Sequence, residues 1–187
     1  MKKKMSAHRI AYIAILAALV YVVIWISRFP IFSSKLNLSN VICLLSALLM
    51  GPFAGGLAAG MGSAIFDLTL GGYGAIEALV TFVSKFAMAW VCGIIAFSAG
   101  KKADHHGWNI AGCVAGAWTY VALYMLKTYV KNRFIFPVPL DKVWVALAGK
   151  FPASAINAVA AMIVAPILYT ALRPALQKAG LLDKIRS

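Results

Sequence analysis

Long apolar stretches, most of them long enough to cross a lipid bilayer, make up the greater part of the sequence. The first, 10–27, holds no charged residue, and short polar segments separate it from its successors. A membrane-spanning helix needs about 20 mostly apolar residues. Hydrophobic residues form 63% of the chain and charged residues 12%, whereas a soluble domain carries about 25% charged residues. The sequence therefore predicts an all-α integral membrane protein and excludes a soluble globular fold.

We expect a single domain, 1–187, of six transmembrane helices joined by short loops. A chain of 187 residues leaves little room for a domain outside the membrane once six spans are formed. The second span is short, and Gly51 and Pro52 form a tight turn between it and the third. The predicted spans are 10–27, 36–50, 52–70, 75–98, 108–129 and 142–172.

Lysine and arginine residues are divided unevenly between the two ends of this predicted bundle. Ten belong to the end that holds both termini and the loop 99–107, namely Lys2, Lys3, Lys4, Arg9, Lys101, Lys102, Arg173, Lys178, Lys184 and Arg186. Five belong to the opposite end, namely Arg28, Lys35, Lys131, Arg133 and Lys142. Because basic residues accumulate on the cytoplasmic side of a membrane, both termini are expected in the cytoplasm. The net charge of +13 then reflects orientation rather than nucleic-acid binding.

Ionisable residues inside the predicted spans are the candidates for function. Such groups are costly in lipid and usually face the bundle interior or a water-filled cavity. Helical spacing places polar side chains on one face each of the fourth, fifth and sixth spans, and the predicted orientation puts those faces in the outer half of the membrane. We therefore expect a cavity open to the outside. Its candidate substrate-binding residues are Asp67, Tyr73, Glu77, Lys85, Tyr124, Lys127, Lys150 and Asn157.

Several of these residues also have a purely structural interpretation. Lys127 can extend towards the outer headgroups, and Asp67 and Lys85 can form a structural ion pair. Tyr73 and Tyr124 fit an interfacial aromatic belt equally well. If the cavity does bind a substrate, its excess of lysines over carboxylates favours a substrate with acceptor oxygens or an anionic group.

No catalytic constellation occurs in the sequence. There is no HExxH, no GxSxG and no GxxxxGK[ST] motif. Cys43, Cys92 and Cys113 lie in apolar stretches without metal-ligand spacing, so we interpret them as free, buried thiols and expect no metal site. We expect neither an enzyme nor a cofactor in this chain. If the chain transports against a gradient, another chain must hydrolyse ATP.

Small residues recur at four-residue intervals, a pattern that lets helices approach closely in lipid. The pairs Gly51 and Gly55, and Gly56 and Gly60, are interpreted as packing contacts within the chain. For the pair Ala14 and Ala18 of the first span, two interpretations stay open: packing within the chain, or contact with a partner protein.

Taken in order, these features resemble the substrate-binding S components of energy-coupling factor (ECF) transporters. The stretch His8-Arg-Ile-Ala-Tyr-Ile-Ala-Ile-Leu-Ala-Ala18 is similar to the family's basic start and AxxxA helix. The stretch 51–68, GPFAGGLAAGMGSAIFDL, is similar to the GPxxGxxxGxxxD segment of many members. The stretch 44–95 looks most like the subgroup linked to pyridoxine or hydroxymethylpyrimidine, with cobalamin and pantothenate among its relatives.

The resemblance implies a high-affinity binding subunit of an ATP-driven vitamin importer in the bacterial plasma membrane. Its implied partners are a transmembrane coupling subunit and two cytoplasmic ATPase subunits, which hydrolyse the ATP. By the same analogy, Ala14 and Ala18 match alanines that contact the coupling subunit, and the loop 28–35 matches the external loop that gates the site. The alternative is a stand-alone ion-coupled transporter with Asp67 or Glu77 as the coupling carboxylate. A membrane enzyme is disfavoured by the missing catalytic motifs.

Overall fold

A computed structural model describes residues 7–27, 29–31, 34–100 and 102–186, and they form a helical bundle with one short hairpin. The helices are α1 (Ala7–Ile26), α2 (Ser39–Met50), α3 (Pro52–Leu68), α4 (Gly74–Ala96), α5 (His106–Val130), α6 (Leu140–Lys178) and α7 (Leu181–Arg186). The strands β1 (Phe29–Ile31) and β2 (Ser34–Leu36) pair in antiparallel fashion. A π-helical segment, Lys131–Ile135, continues α5.

Helix α2 lies at the centre of the bundle. Eleven of its twelve residues are buried, and it packs against α1, α3, α4, α5 and α6. After Ser39 and Asn40 its sequence is apolar except for Ser46, as expected of a helix surrounded by other helices. The turn into α3 uses Gly51 at a φ of +83°, which glycine tolerates, and Pro52 at the first helical position, where its missing N–H costs nothing.

Four helical segments in the described part of the chain are long and apolar enough to cross a membrane: Ala7–Ile26, Gly74–Ala96, His106–Ile135 and Leu140–Lys178. The chain is thus a multi-pass membrane protein. The expectation of six spans is not confirmed, because α2 and α3 have 12 and 17 residues. At 1.5 Å per residue they are about 18 and 25 Å long, less than the hydrocarbon thickness of about 30 Å.

The structure departs from the predicted loops in three places. The predicted loop 28–35 contains most of the two paired strands, although residues 28, 32 and 33 lie outside the described residues. The segment between the predicted fifth and sixth spans, 130–141, contains the π-helical segment. The segment after the predicted sixth span, which ends at 172, is also helical. Helix α6 continues through Pro174 to Lys178, and α7 then buries Leu182 and Ile185 against the bundle.

Glycines bring α3 into close contact with its neighbours, which confirms their interpretation as packing residues within the chain. A Cβ at Gly62 would lie 2.3 Å from the carbonyl oxygen of Ala17 in α1. A Cβ at Gly55 would lie 2.5 Å from the Cα of Ala47 in α2. Neither approach leaves room for a side chain, so these positions require glycine for steric reasons.

The two alanines with an open interpretation lie on the outside of α1. Ala14 and Ala18 are exposed, whereas Ala17 between them is buried against α3. Ala14 and Ala18 therefore do not pack inside the described bundle. Their surface is available to lipid or to a partner helix.

Candidate functional site

A cavity of about 400 Å³ lies at the end of the bundle where α1, α3 and α5 end and α2, α4 and α6 begin. All eight candidate residues that the sequence predicted line this cavity: Asp67, Tyr73, Glu77, Lys85, Tyr124, Lys127, Lys150 and Asn157. The structure thus brings together side chains from four different segments of the chain.

Sequence reasoning missed several polar residues of the lining. Asn37 and Asn40 flank the start of α2, Ser63 lies on α3, and Asn132 lies in the π-helical segment. Asn37, Asn40 and Ser63 carried a usable signal, because each is a polar residue inside a predicted span. Asn132 lies between the predicted fifth and sixth spans, where polar residues are ordinary.

Glu77 binds two lysines at the border between α4 and α5. One of its carboxylate oxygens forms a salt bridge with Lys127, and the other accepts a hydrogen bond of 2.7 Å from Lys131 Nζ. Glu77 and Lys127 are each 23% exposed. The three side chains therefore fix the end of α5 and the start of the π-helical segment to α4. This contact assigns Lys127 a protein partner, so its side chain is not simply extended towards headgroups.

Lys85 is almost completely buried, with 2% of its surface exposed. Its ammonium donates hydrogen bonds to Asn40 Oδ1 and, at 3.4 Å, to Ser39 Oγ at the start of α2. It also lies 4.3 Å from the centroid of the Tyr120 ring, within cation–π distance. The alternative of an ion pair with Asp67 is wrong for the described residues, because Lys85 is held by α2 and α5 instead.

Two tyrosine rings of α5 continue this arrangement along the cavity wall. The rings of Tyr120 and Tyr124 are stacked, with centroids 6.2 Å apart and planes inclined by 22°. Lys150 Nζ lies 5.9 Å from the centroid of Tyr124. Lys85 and Lys150 thus contact different members of one tyrosine pair. Because Tyr120 and Tyr124 are one helical turn apart, their side chains share a face of α5.

Asn157 holds the segment that follows the β-hairpin. Its Oδ1 accepts a hydrogen bond of 2.8 Å from the backbone N–H of Asn37. The Asn37 side chain in turn accepts a hydrogen bond of 2.9 Å from the backbone N–H of Ser39. On the other side of the hairpin, Ser27 Oγ accepts a hydrogen bond from the backbone N–H of Leu38. These contacts link α6, the hairpin and the start of α2.

The lining carries more positive than negative charge. Lys85, Lys127, Lys131 and Lys150 face the cavity together with only two carboxylates, Asp67 and Glu77, among the residues that the structure describes. The formal excess is two positive charges when all six are ionised. Such a cavity disfavours a cationic ligand and favours a neutral or anionic ligand with acceptor oxygens.

A polar cavity of this volume at the end of a bundle of apolar helices is large enough to hold a small molecule. Residues 4–174 match the family model "ECF-type riboflavin transporter, S component". The match covers most of the chain, and the chain belongs to this family. ECF S components are substrate-binding transport subunits, not enzymes, and they work with a membrane coupling subunit and ATPase subunits.

Two further comparisons bear on the fold and on relatives. The solved structure of the S component of a bacterial ECF transporter superimposes with a TM-score of 0.69, covering 90% of this chain and 96% of that one. At 20% sequence identity, this likeness concerns the fold alone. An uncharacterised protein of Pyrococcus woesei is 35% identical over 105 residues, which are 55% of this chain and 66% of that protein, just under two thirds of its length.

The family match supports one part of the sequence-based identification and not the other. Membership of the ECF S components is confirmed. The pyridoxine, hydroxymethylpyrimidine or cobalamin subgroup is not confirmed, because the matching family is named for riboflavin. The stretch 44–95, on which the subgroup prediction rested, includes all of α3 and most of α2 and α4. Much of it is apolar sequence used for packing, which carries little information on the ligand.

Proposed function

We propose that this chain is the substrate-binding subunit of an ECF-type importer and that its substrate is riboflavin. The observation that carries the proposal is the convergence of eight separately predicted polar residues on one cavity, in a chain that belongs to the riboflavin S-component family. The volume of about 400 Å³ falls in the range of small-molecule sites, roughly 300–1,000 Å³.

The chemistry of the lining supports a flat, uncharged vitamin with many polar groups. The stacked Tyr120 and Tyr124 offer an aromatic wall, which suits a planar ring system. Asn40, Ser63 and Thr81 supply uncharged hydrogen-bonding groups around it. Riboflavin combines a planar ring that bears carbonyl groups with a polyhydroxyl chain. The ring suits the aromatic wall, and the chain suits the hydrogen-bonding groups.

The remaining parts of the proposal concern membrane and partners. We place the protein in the cell membrane with both termini in the cytoplasm and the cavity facing outwards, because most flanking lysines and arginines lie at the opposite end of the bundle. The coupling subunit and two ATPase subunits supply ATP hydrolysis, since the sequence contains no GxxxxGK[ST] motif. In this arrangement the chain itself captures the vitamin and requires no cofactor.

An ion-coupled transporter is the second candidate, and the structure offers it less support. Glu77, one of its two candidate carboxylates, already binds Lys127 and Lys131. Both of its carboxylate oxygens are already paired with ammonium groups, so it is poorly placed to bind a coupling ion. Asp67 would have to perform that role alone.

Ligand retention tests the proposed function. The protein is purified in mild detergent from cells grown with riboflavin, pyridoxine, hydroxymethylpyrimidine, pantothenate and cobalamin, and the released small molecules are identified by mass spectrometry. We expect riboflavin to be retained in near-stoichiometric amount. Retention of another vitamin in the panel would refute the proposed substrate. Failure to retain or bind any of them would refute the function.

A further inference from the structure

Among the charged groups that line the cavity, two differ from the others in their surroundings. Glu77 binds two lysines, and Lys85 donates to Asn40 and Ser39. Asp67 and Lys150, by contrast, have no oppositely charged group within 4 Å and no side-chain hydrogen bond to another side chain in the part of the chain that the structure describes. A carboxylate and an ammonium that face a cavity in this way are available to a ligand.

These two groups reach the cavity from different walls. Asp67 lies near the end of α3, which packs against α1, α2 and α4. Lys150 lies on α6, which packs against α2 and α5. No salt bridge joins the two side chains in the part of the chain that the structure describes. A ligand that spans the cavity can contact both.

Asp67 and Lys150 bind opposite kinds of hydrogen-bonding group on the ligand. An ionised carboxylate only accepts hydrogen bonds, so Asp67 requires hydroxyl or N–H donors. An ammonium only donates, so Lys150 requires carbonyl or anionic oxygens. Lys150 Nζ lies 5.9 Å from the centroid of Tyr124, so a ring placed along this tyrosine has its edge within reach of the ammonium. The aromatic part of the ligand therefore belongs beside Lys150.

From this arrangement we infer the orientation of the substrate in the cavity. The planar ring lies along Tyr124 with its carbonyl oxygens towards Lys150, and the polyhydroxyl chain extends to Asp67. This inference rests on the proposed function, namely that the substrate is riboflavin. It makes Asp67 the residue that selects for the hydroxylated chain and Lys150 the residue that selects for the carbonyl-bearing ring.

Two probes separate these roles. Riboflavin carries the polyhydroxyl chain, whereas lumiflavin has the same ring system with a methyl group in place of that chain. Binding of each to the purified full-length protein is followed by the change in flavin fluorescence. Asp67→Asn removes the charge and keeps the shape, and Lys150→Met removes the ammonium and keeps most of the volume. Asp141→Asn and Lys142→Met, at exposed positions on α6 outside the lining, are matched controls.

A lost hydrogen bond to a charged group weakens binding roughly 10- to 150-fold. We expect Asp67→Asn to weaken riboflavin binding by this factor and to leave lumiflavin binding unchanged. Unchanged lumiflavin binding also shows that the variant is folded. We expect Lys150→Met to weaken both probes by a similar factor and Lys150→Arg, which keeps the positive charge, to restore binding of both in part. The two control variants should bind both probes as the wild type does.

The outcomes distinguish this inference from the function on which it rests. If the wild-type protein binds neither probe, the proposed function and the orientation both fail. If the wild type binds riboflavin but Asp67→Asn weakens both probes equally, or weakens neither, the orientation is wrong and the function stands. The same holds if Lys150→Met leaves lumiflavin binding unchanged.

Discussion

Replacing Lys85 by methionine tests how the buried lysine contributes to the cavity. The side chain is 2% exposed, and its ammonium links α4 to Asn40 and Ser39 at the start of α2. Little of it can contact a ligand directly. We therefore expect Lys85 to act by positioning Asn40, which lines the cavity, rather than as a substrate contact in its own right.

Opposing effects decide what the substitution does to stability. Methionine leaves two buried acceptors without their donor, at about 1–3 kcal/mol each. It also removes a cation–π contact with Tyr120, worth about 0.5–2 kcal/mol. Against these losses, the protein no longer buries an ammonium, whose desolvation costs several kcal/mol. The terms are of similar size, so we expect Lys85→Met to fold.

The effect on binding is larger than the effect on folding. Without the lysine, the side chain of Asn40 loses the contact that fixes its orientation. We expect Lys85→Met to weaken vitamin binding roughly 10- to 150-fold, corresponding to 1.5–3 kcal/mol. Isothermal titration calorimetry on the purified variants measures this loss. Lys178→Met, an exposed lysine near the opposite end of α6, is the matched control and should bind as the wild type does.

A double-mutant cycle separates positioning from direct contact. If Lys85 acts through Asn40, the pair Lys85→Met and Asn40→Ala should bind no more weakly than the worse single variant, because contacting residues that act as a unit are not additive. Full additivity would show that Lys85 contacts the ligand independently. Wild-type affinity in Lys85→Met would refute any role for this lysine in binding.

Three further predictions concern topology, coupling and packing. A cysteine introduced at Asn132 should react with a membrane-impermeant reagent from outside and one at Asp104 should not; the reverse pattern would refute the orientation and the position of the cavity. Ala14→Trp or Ala18→Trp, on the exposed face of α1, should abolish transport and preserve vitamin binding, and loss of binding would refute a partner contact there. Gly62→Ala should destabilise the protein by about 1–3 kcal/mol through overpacking, because its Cβ would lie 2.3 Å from a backbone oxygen of α1; an unchanged thermal unfolding midpoint would contradict that close approach.

The sequence predicts the helices of this protein well because lipid imposes a simple rule on apolar stretches. The predicted stretch 75–98 corresponds to α4, Gly74–Ala96, and 52–70 to α3, Pro52–Leu68. The hairpin escaped prediction because strands of three residues are too short to show an alternating pattern. The extension of α6 through Pro174 also escaped prediction, because a proline within a helical pattern normally signals its end.

The residues that line the cavity could be predicted from the sequence more readily than the contacts among them. Helical spacing decides which side chains share a face, and this places Lys150 and Asn157 together on α6. Which partner each side chain binds depends on which helix lies beside it and on how the two helices are shifted along their axes relative to each other. The hydrogen bond from the Asn37 backbone to Asn157 joins residues 120 positions apart. No local pattern specifies such a pair.

Reconstituted transport tests the central claim that this chain binds a vitamin but does not import it alone. Radiolabelled riboflavin is supplied to liposomes that hold this protein, either alone under a proton or sodium gradient or together with a coupling subunit, ATPase subunits and ATP. We predict accumulation only in the complete, ATP-supplied system, and its loss in the Ala14→Trp variant. Gradient-driven accumulation by this chain alone, without ATP, would contradict the account.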